Sequence, residues 1–208
     1  MRSAEPSFYR ALRQLCDDNG MLLAFDEVQT GMGRAGDLFA HRRFGVTPDV
    51  MSLAKALGGG FPIGACLATA EAASGMTPGS HGSTFGGNPL AVSAANAVLD
   101  VMLEPGFFDH VQRMSLLLKQ KLASVIDRHP DIVSEVRGEG LLIGIKAVVP
   151  SGDLVAALRG EKLLTVGAGD NVVRFLPPLI VTEAELDDAV SRLERACAAL
   201  SDNKRAAS

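Results

Sequence analysis

Met21-Leu22-Leu23-Ala24-Phe25-Asp26-Glu27 opens the stretch that decides the fold, and Val50-Met51-Ser52-Leu53-Ala54-Lys55-Ala56-Leu57-Gly58-Gly59-Gly60 closes it. The first run is apolar without alternation and breaks off in two acids. Such a run reads as a buried parallel strand whose carboxyl end faces a crevice. Ligands gather at that end in α/β folds. Twenty-nine residues after Asp26 the second run delivers Lys55, and three glycines then leave the backbone bare. An acid and an amine are therefore expected at one sheet edge.

That pairing has a chemistry. A lysine against an apolar wall has its charged form disfavoured, which leaves some neutral amine able to attack a carbonyl. Pyridoxal phosphate, a carbonyl cofactor that acts as an electron sink, also needs a carboxylate to keep its pyridine nitrogen protonated. Asp26 can supply one. The plainer alternative is an acid at the edge of a sheet and a solvated lysine.

Working outward, 208 residues with 47% hydrophobic content suffice for a real core in one large or two small domains. A net charge of −4 with both signs interspersed argues against a nucleic-acid surface, and no Lys/Arg run suggests an anionic membrane partner. A small-molecule ligand fits better. Cys16, Cys66 and Cys197 are widely spaced and form no CxxC pair. That favours a reducing cytoplasm over a disulfide framework or a zinc site. The N-terminus has no apolar signal core, and no run approaches transmembrane length.

In chain order, Ser7 is expected to cap a helix to about Leu15 or Asp18, with Phe8, Ala11, Leu12 and Leu15 on one face, stopped by Asn19-Gly20. Gly31-x-Gly33-x-x-Gly36 follows the first strand and matches GxGxxG, but acids precede it and no acidic partner follows on a second βαβ strand. A dinucleotide site is thus disfavoured. Asp37–Phe44 reads as a short helix and Phe61–Thr69 as another buried strand. Ser83-Thr84-Phe85-Gly86-Gly87-Asn88-Pro89 puts hydroxyls and glycines ahead of a helix running to about Leu103. That is either a phosphate site or an ordinary cap by Asn88.

Glu104-Pro105-Gly106 breaks the chain, dividing residues 1–104 from an α+β region at 105–208. There a helix is expected from Phe107 to Arg128, with strands at 133–137, 141–147, 163–166 and 172–176 and helices at 153–160 and 183–200. Thr182-Glu183-Ala184-Glu185 looks like a capping box, and residues 201–208 are expected to fray. Arg174 interrupts an apolar strand. It either clamps a substrate carboxylate with its planar fork or is an edge-strand arginine paired with a glutamate. Glu27 either orients an arginine such as Arg34 or faces solvent. His41, His81, His110 and His129 lack metal-ligand spacing.

Together, Leu23–Gly31, Leu53–Gly60, Gly82–Pro89 and Val173–Pro178 resemble, in order and spacing, the class III pyridoxal-phosphate aminotransferases. Phe61-Pro62-Ile63-Gly64-Ala65-Cys66 and Thr77–Pro89 are most similar to their acetylornithine and succinylornithine members. The resemblance implies a fold type I α/β architecture: part of a large, mostly parallel-sheet domain and the small C-terminal domain. It implies that Asp26 pairs with the pyridinium nitrogen, beside Glu27, that Val28 packs on the ring, that Gln29 nears the ring hydroxyl, and that Lys55 binds the cofactor covalently and moves the proton. Thr84 would reach the phosphate bound by the opposite subunit of a homodimer, Ser83 the acyl-ornithine, and Arg174 the substrate α-carboxylate. The implied reaction passes the terminal amine of N-acetylornithine to 2-oxoglutarate, in arginine biosynthesis. Succinylornithine, ornithine or 4-aminobutyrate are alternative donors, and a catalytically incompetent fragment acting through its dimer surface is a further reading.

Family members carry about as many residues again before the helix at Ser7, including a phosphate loop, a ring-stacking aromatic and a second substrate arginine. The resemblance is therefore to a C-terminal half, and an exposed sheet edge and uncovered apolar surface are expected.

Overall fold

The computed structural model describes residues 3–206, which divide into two units, Ala4–Phe108 and a second that begins at Asp109. In the first, Pro6 suits the first helical turn through its fixed φ, so helix α1 (Pro6–Asp18) starts upstream of the expected Ser7 cap. Gly20, at φ +61°, ends it as expected. The buried face is not the expected one: Phe8 and Leu15 are exposed, while Cys16 packs with Leu23 and Val46. Tyr9 decides this, stacking on Phe44 with ring centroids 3.8 Å apart and meeting Phe25 edge-on. Arg13 adds a polar tie, its Nη1 donating to Asp49 at 2.7 Å.

Strand β1 (Ala24–Asp26) pairs in parallel with β2 (Val50–Leu53), and β2 pairs antiparallel with β3 (Ala65–Ala68), in the order β1-β2-β3. The expected strand at Phe61–Thr69 is shorter, and it is exposed at all four positions instead of buried. It forms one edge of the sheet, with β2 as its single strand partner among the described residues. A one-turn helix α2 (Ala70–Ala73) follows, capped by Thr69. Helix α3 (Pro89–Met102) begins at Asn88, whose Oδ1 accepts the Ala91 N–H at 2.9 Å.

The second unit takes in nearly all of helix α4 (Phe107–Arg128), expected over those residues, whose buried side chains include Val111, Met114, Leu118 and Leu122. Strands β4 (Val133–Glu139), β5 (Leu142–Ala147), β6 (Val166–Ala168) and β7 (Val172–Phe175) form an antiparallel sheet ordered β4-β5-β7-β6. The β6 strand sits later than expected because Leu163 N–H turns back to the carbonyl of Leu158, at the end of helix α5 (Ser151–Gly160).

Helix α6 (Glu183–Ala206) opens with the expected capping box: Thr182 and Glu185 exchange backbone-to-side-chain bonds of 2.8 and 3.3 Å. It does not fray at Ser201. That residue is buried and its hydroxyl donates to Asp131 Oδ2 at 2.8 Å, while Lys204 reaches the Asp131 carbonyl. Residues 207 and 208 lie outside the described residues. The Ser201 hydroxyl is the main cause that holds the Asp131 carboxyl below its ordinary pKa. A depressed folded pKa contributes stability that is present above about pH 4 and lost as pH falls through the folded value. Ser201→Ala is therefore expected to cost about 1 kcal/mol at neutral pH, and the difference from wild type should shrink on acidification. Urea unfolding at about pH 7 and about pH 3 checks this; an equal gap at both refutes the linkage.

Among the described residues, no single helix is long and apolar enough to cross a membrane, and no His/Cys/Asp/Glu cluster could hold a metal.

Candidate active site

The first unit brings the acid and the amine to one edge. Asp26 is the last residue of β1 and stands in register with Ser52 of β2, and Lys55 lies three residues beyond. Parallel strands place both carboxyl ends on the same side of the sheet. The Asp26 side chain is fixed: its Oδ1 accepts the Val28 N–H at 2.9 Å and the Ser52 hydroxyl at 3.2 Å. Its Oδ2 has no hydrogen bond among the described residues. Sequence reasoning missed Ser52. Aligning the ends of the two apolar runs pairs 26 with 55, whereas the strands pair 26 with 52, an offset that run lengths do not reveal.

Lys55 opens a 3-10 turn, Lys55–Gly58, with φ at +49°. A side chain rarely adopts that left-handed conformation, and the strain costs on the order of 1 kcal/mol. The glycines explain the turn. A Cβ on Gly58 would sit 2.7 Å from Ile63, and one on Gly59, at φ +59°, would sit 2.8 Å from Val98 of α3. Only bare backbone lets the turn dock on that helix. The Lys55 side chain, expected against an apolar wall, is instead exposed, and its amine has no hydrogen bond or ion pair among the described residues.

Val28 is half-buried and Gln29 exposed on the turn that follows β1. The loop beyond is self-bonded, with Gly31 N–H donating to Glu27 O, Ala35 N–H to Thr30 O and Gly36 N–H to Gly33 O. A five-residue 3-10 turn, Ala40–Phe44, follows in place of the expected helix from Asp37. With no long helix after the glycines, the GxGxxG match lacks a dinucleotide context.

Glu27 does not face solvent. It is 3% exposed, its Oε2 accepts the Ala40 N–H at 2.6 Å, and its Oε1 accepts the His41 N–H at 2.9 Å with His41 Nδ1 at 3.0 Å. The carboxylate thus holds the start of the Ala40–Phe44 turn and, through the turn's other contacts, the loop after β1. Glu27→Ala would leave two backbone N–H groups unpaired and is expected to destabilise the first unit by about 2–4 kcal/mol. Denaturant unfolding measures it, and a change below about 1 kcal/mol would contradict the clamp.

Ser83 and Thr84 lie on an exposed segment. The Ser83 hydroxyl accepts the Gly86 N–H at 2.9 Å, Asn88 is the ordinary cap of α3, and Phe85 is 81% exposed. No hydrogen bond joins Ser83 or Thr84 to Asp26 or Lys55 among the described residues.

Arg174 belongs to the second unit. It is not on an edge: β7 lies between β5 and β6, with Arg174 in register with Gly144 and Val166. It is not paired with a glutamate either. Its buried Nε has no partner among the described residues, and neither has the buried hydroxyl of Thr165. Both residues line a cavity of about 310 Å³ with Leu118, Pro177, Val181 and Glu185. A cavity lined by a guanidinium and a hydroxyl that lack partners among the described residues is suited to an anionic or carbonyl group.

Residues 1–197 match the aminotransferase class-III family. The chain belongs to the class III aminotransferases. It is 86% identical over 210 residues to acetylornithine aminotransferase 1 of Bradyrhizobium diazoefficiens, covering all of this chain and 52% of that protein. It is 59% identical to acetylornithine aminotransferase of Brucella melitensis, covering 97% of this chain and 50% of that one. The crystal structure of N-acetylornithine aminotransferase from Stenotrophomonas maltophilia superposes with a TM-score of 0.86 at 39% identity, covering 96% of this chain and 53% of that one. Plasmodium falciparum ornithine delta-aminotransferase gives 0.87 at 34%, with 96% and 52% covered. The fold is therefore that of the class III, fold type I transaminases, and the chain spans about half the length of the curated relatives it matches.

Proposed function

We propose that this class III chain is the lysine-bearing part of a pyridoxal-phosphate transaminase that moves the terminal amino group of N-acetylornithine to 2-oxoglutarate, giving the semialdehyde and glutamate. The observation that carries the reading is the shared edge of β1 and β2, where an acceptor oxygen of Asp26 and the amine of Lys55 are both without partners among the described residues. Pyridoxal phosphate fits those two groups: it needs a carboxylate for its ring nitrogen and an amine for its carbonyl. The names of the relatives at 86% and 59% identity support the substrate.

When bound, pyridoxal phosphate supplies an electron sink conjugated to the carbon that bears the amine. Asp26 Oδ2 holds a proton at the ring nitrogen, because a fixed negative charge favours the protonated form. Val28 would pack on the ring and Gln29 would approach its hydroxyl, while Glu27 acts by holding the loop behind them. Lys55, as a free amine, would be the base that takes the proton from the substrate carbon and the acid that gives it back. Arg174 binds the α-carboxylate through two parallel N–H···O bonds. Thr84 serves the phosphate, and Ser83 the acyl group, in the site of a second subunit, which the exposure of their segment suits. The working unit is then a homodimer, in the reducing cytoplasm that three free cysteines suit. Ornithine as donor is a second reading, supported by the fit to the Plasmodium enzyme.

The test is to incubate the purified chain with pyridoxal phosphate, reduce with borohydride and map the peptides by mass. A cofactor mass fixed on Lys55 is expected, and a purified, folded chain that carries none there refutes the reading.

A further inference from the structure

We propose that Ser52 is a positioning residue for this centre: its hydroxyl fixes the rotation of the Asp26 carboxylate and so turns Oδ2 towards the cofactor's ring nitrogen. The inference rests on the pyridoxal-phosphate reading above. An aspartate carboxylate rotates in a broad, nearly two-fold well, so its two oxygens exchange easily unless something holds one. Here Oδ1 is held twice, by the Val28 N–H at 2.9 Å from its own strand end and by the Ser52 hydroxyl at 3.2 Å from the neighbouring strand. The first is a local turn bond that any aspartate can make two residues ahead. The second comes from another element and depends on the parallel register Asp26↔Ser52.

The Ser52 hydroxyl has one suitable acceptor in its row. On the other side of β2 it faces Cys66, whose sulfur accepts only weakly. Ser52 is also three residues before Lys55 on the same stretch of backbone. The segment that sets the acid therefore also delivers the amine.

The experiment measures equilibrium affinity of the 208-residue chain for pyridoxal phosphate and for its carbocyclic analogue, which has carbon in place of the ring nitrogen. Ser52→Ala is expected to weaken pyridoxal phosphate binding by about five- to twentyfold, the loss of one hydrogen bond to a charged group. Ser52→Thr, which keeps the hydroxyl and suits a strand, is expected to bind within about twofold of wild type. With the analogue all three chains should bind alike, because no ring nitrogen is there to meet Oδ2.

Equal losses for cofactor and analogue would mean that Ser52 only supports the strand, and the proposal fails. It fails too if Ser52→Ala binds the cofactor as wild type does while Lys55 still carries it after borohydride. If the folded wild-type chain leaves Lys55 unmodified, the cofactor reading itself is wrong and this inference falls with it.

Discussion

Lys55→Ala is expected to abolish fixation of pyridoxal phosphate by borohydride at this position and to lower transamination in the assembled enzyme by on the order of 10⁴-fold. Alanine has no nitrogen to bond the carbonyl and no base to move the substrate proton, so both roles are lost at once. The backbone is indifferent to the change. Lysine already occupies φ +49°, and alanine meets the same Cβ clash there, so the fold should survive. Lys55→Arg separates charge from nucleophilicity: a guanidinium stays protonated and cannot attack, so it should be as inactive as alanine while keeping the positive charge. Circular dichroism, reduction with peptide mapping and the initial rate with 2-oxoglutarate check these points. Activity above about 1% of wild type, or the cofactor mass on another lysine, would remove Lys55 from its place.

Asp26→Asn is the second large effect, a loss of about 10²–10³ in kcat. The amide is nearly isosteric, and its oxygen can still accept from Val28 N–H and the Ser52 hydroxyl. Its other terminus is then an NH₂, a donor pointed where the ring N–H needs an acceptor. The change removes a charge and inverts a hydrogen bond while leaving the shape of the strand end intact. At saturating pyridoxal phosphate Lys55 should still be modified, so the loss in kcat reads electronic activation apart from the weaker binding. A kcat within about tenfold of wild type would mean that Asp26 does not meet the ring nitrogen.

What the sequence made legible follows from how local each signal is. Asn88-Pro89 and the apolar period after Phe107 fix α3 and α4 within a few residues, because caps and helical faces are written in neighbours. Asp26 and Lys55 were legible because each ends an apolar run. Glu27 was not: its partners are the backbone N–H groups of Ala40 and His41, thirteen and fourteen residues on, and backbone donors leave no trace in residue types. The buried face of α1 was misread for a similar reason, since Tyr9 is drawn inward by Phe44 across the intervening strand. Ser201 looked like the start of a frayed tail until Asp131, seventy residues earlier, supplied its partner. Arg174 could be flagged as misplaced in an apolar strand, but that β7 is an inner strand is a matter of topology, which no pattern within the strand reveals.

The left-handed backbone at Lys55 sets heat resistance against turnover. Glycine relaxes that conformation, so Lys55→Gly should melt higher than the parent while doing no chemistry. A library of variants sorted only for survival on warming would accumulate glycine at the one place where an amine is indispensable.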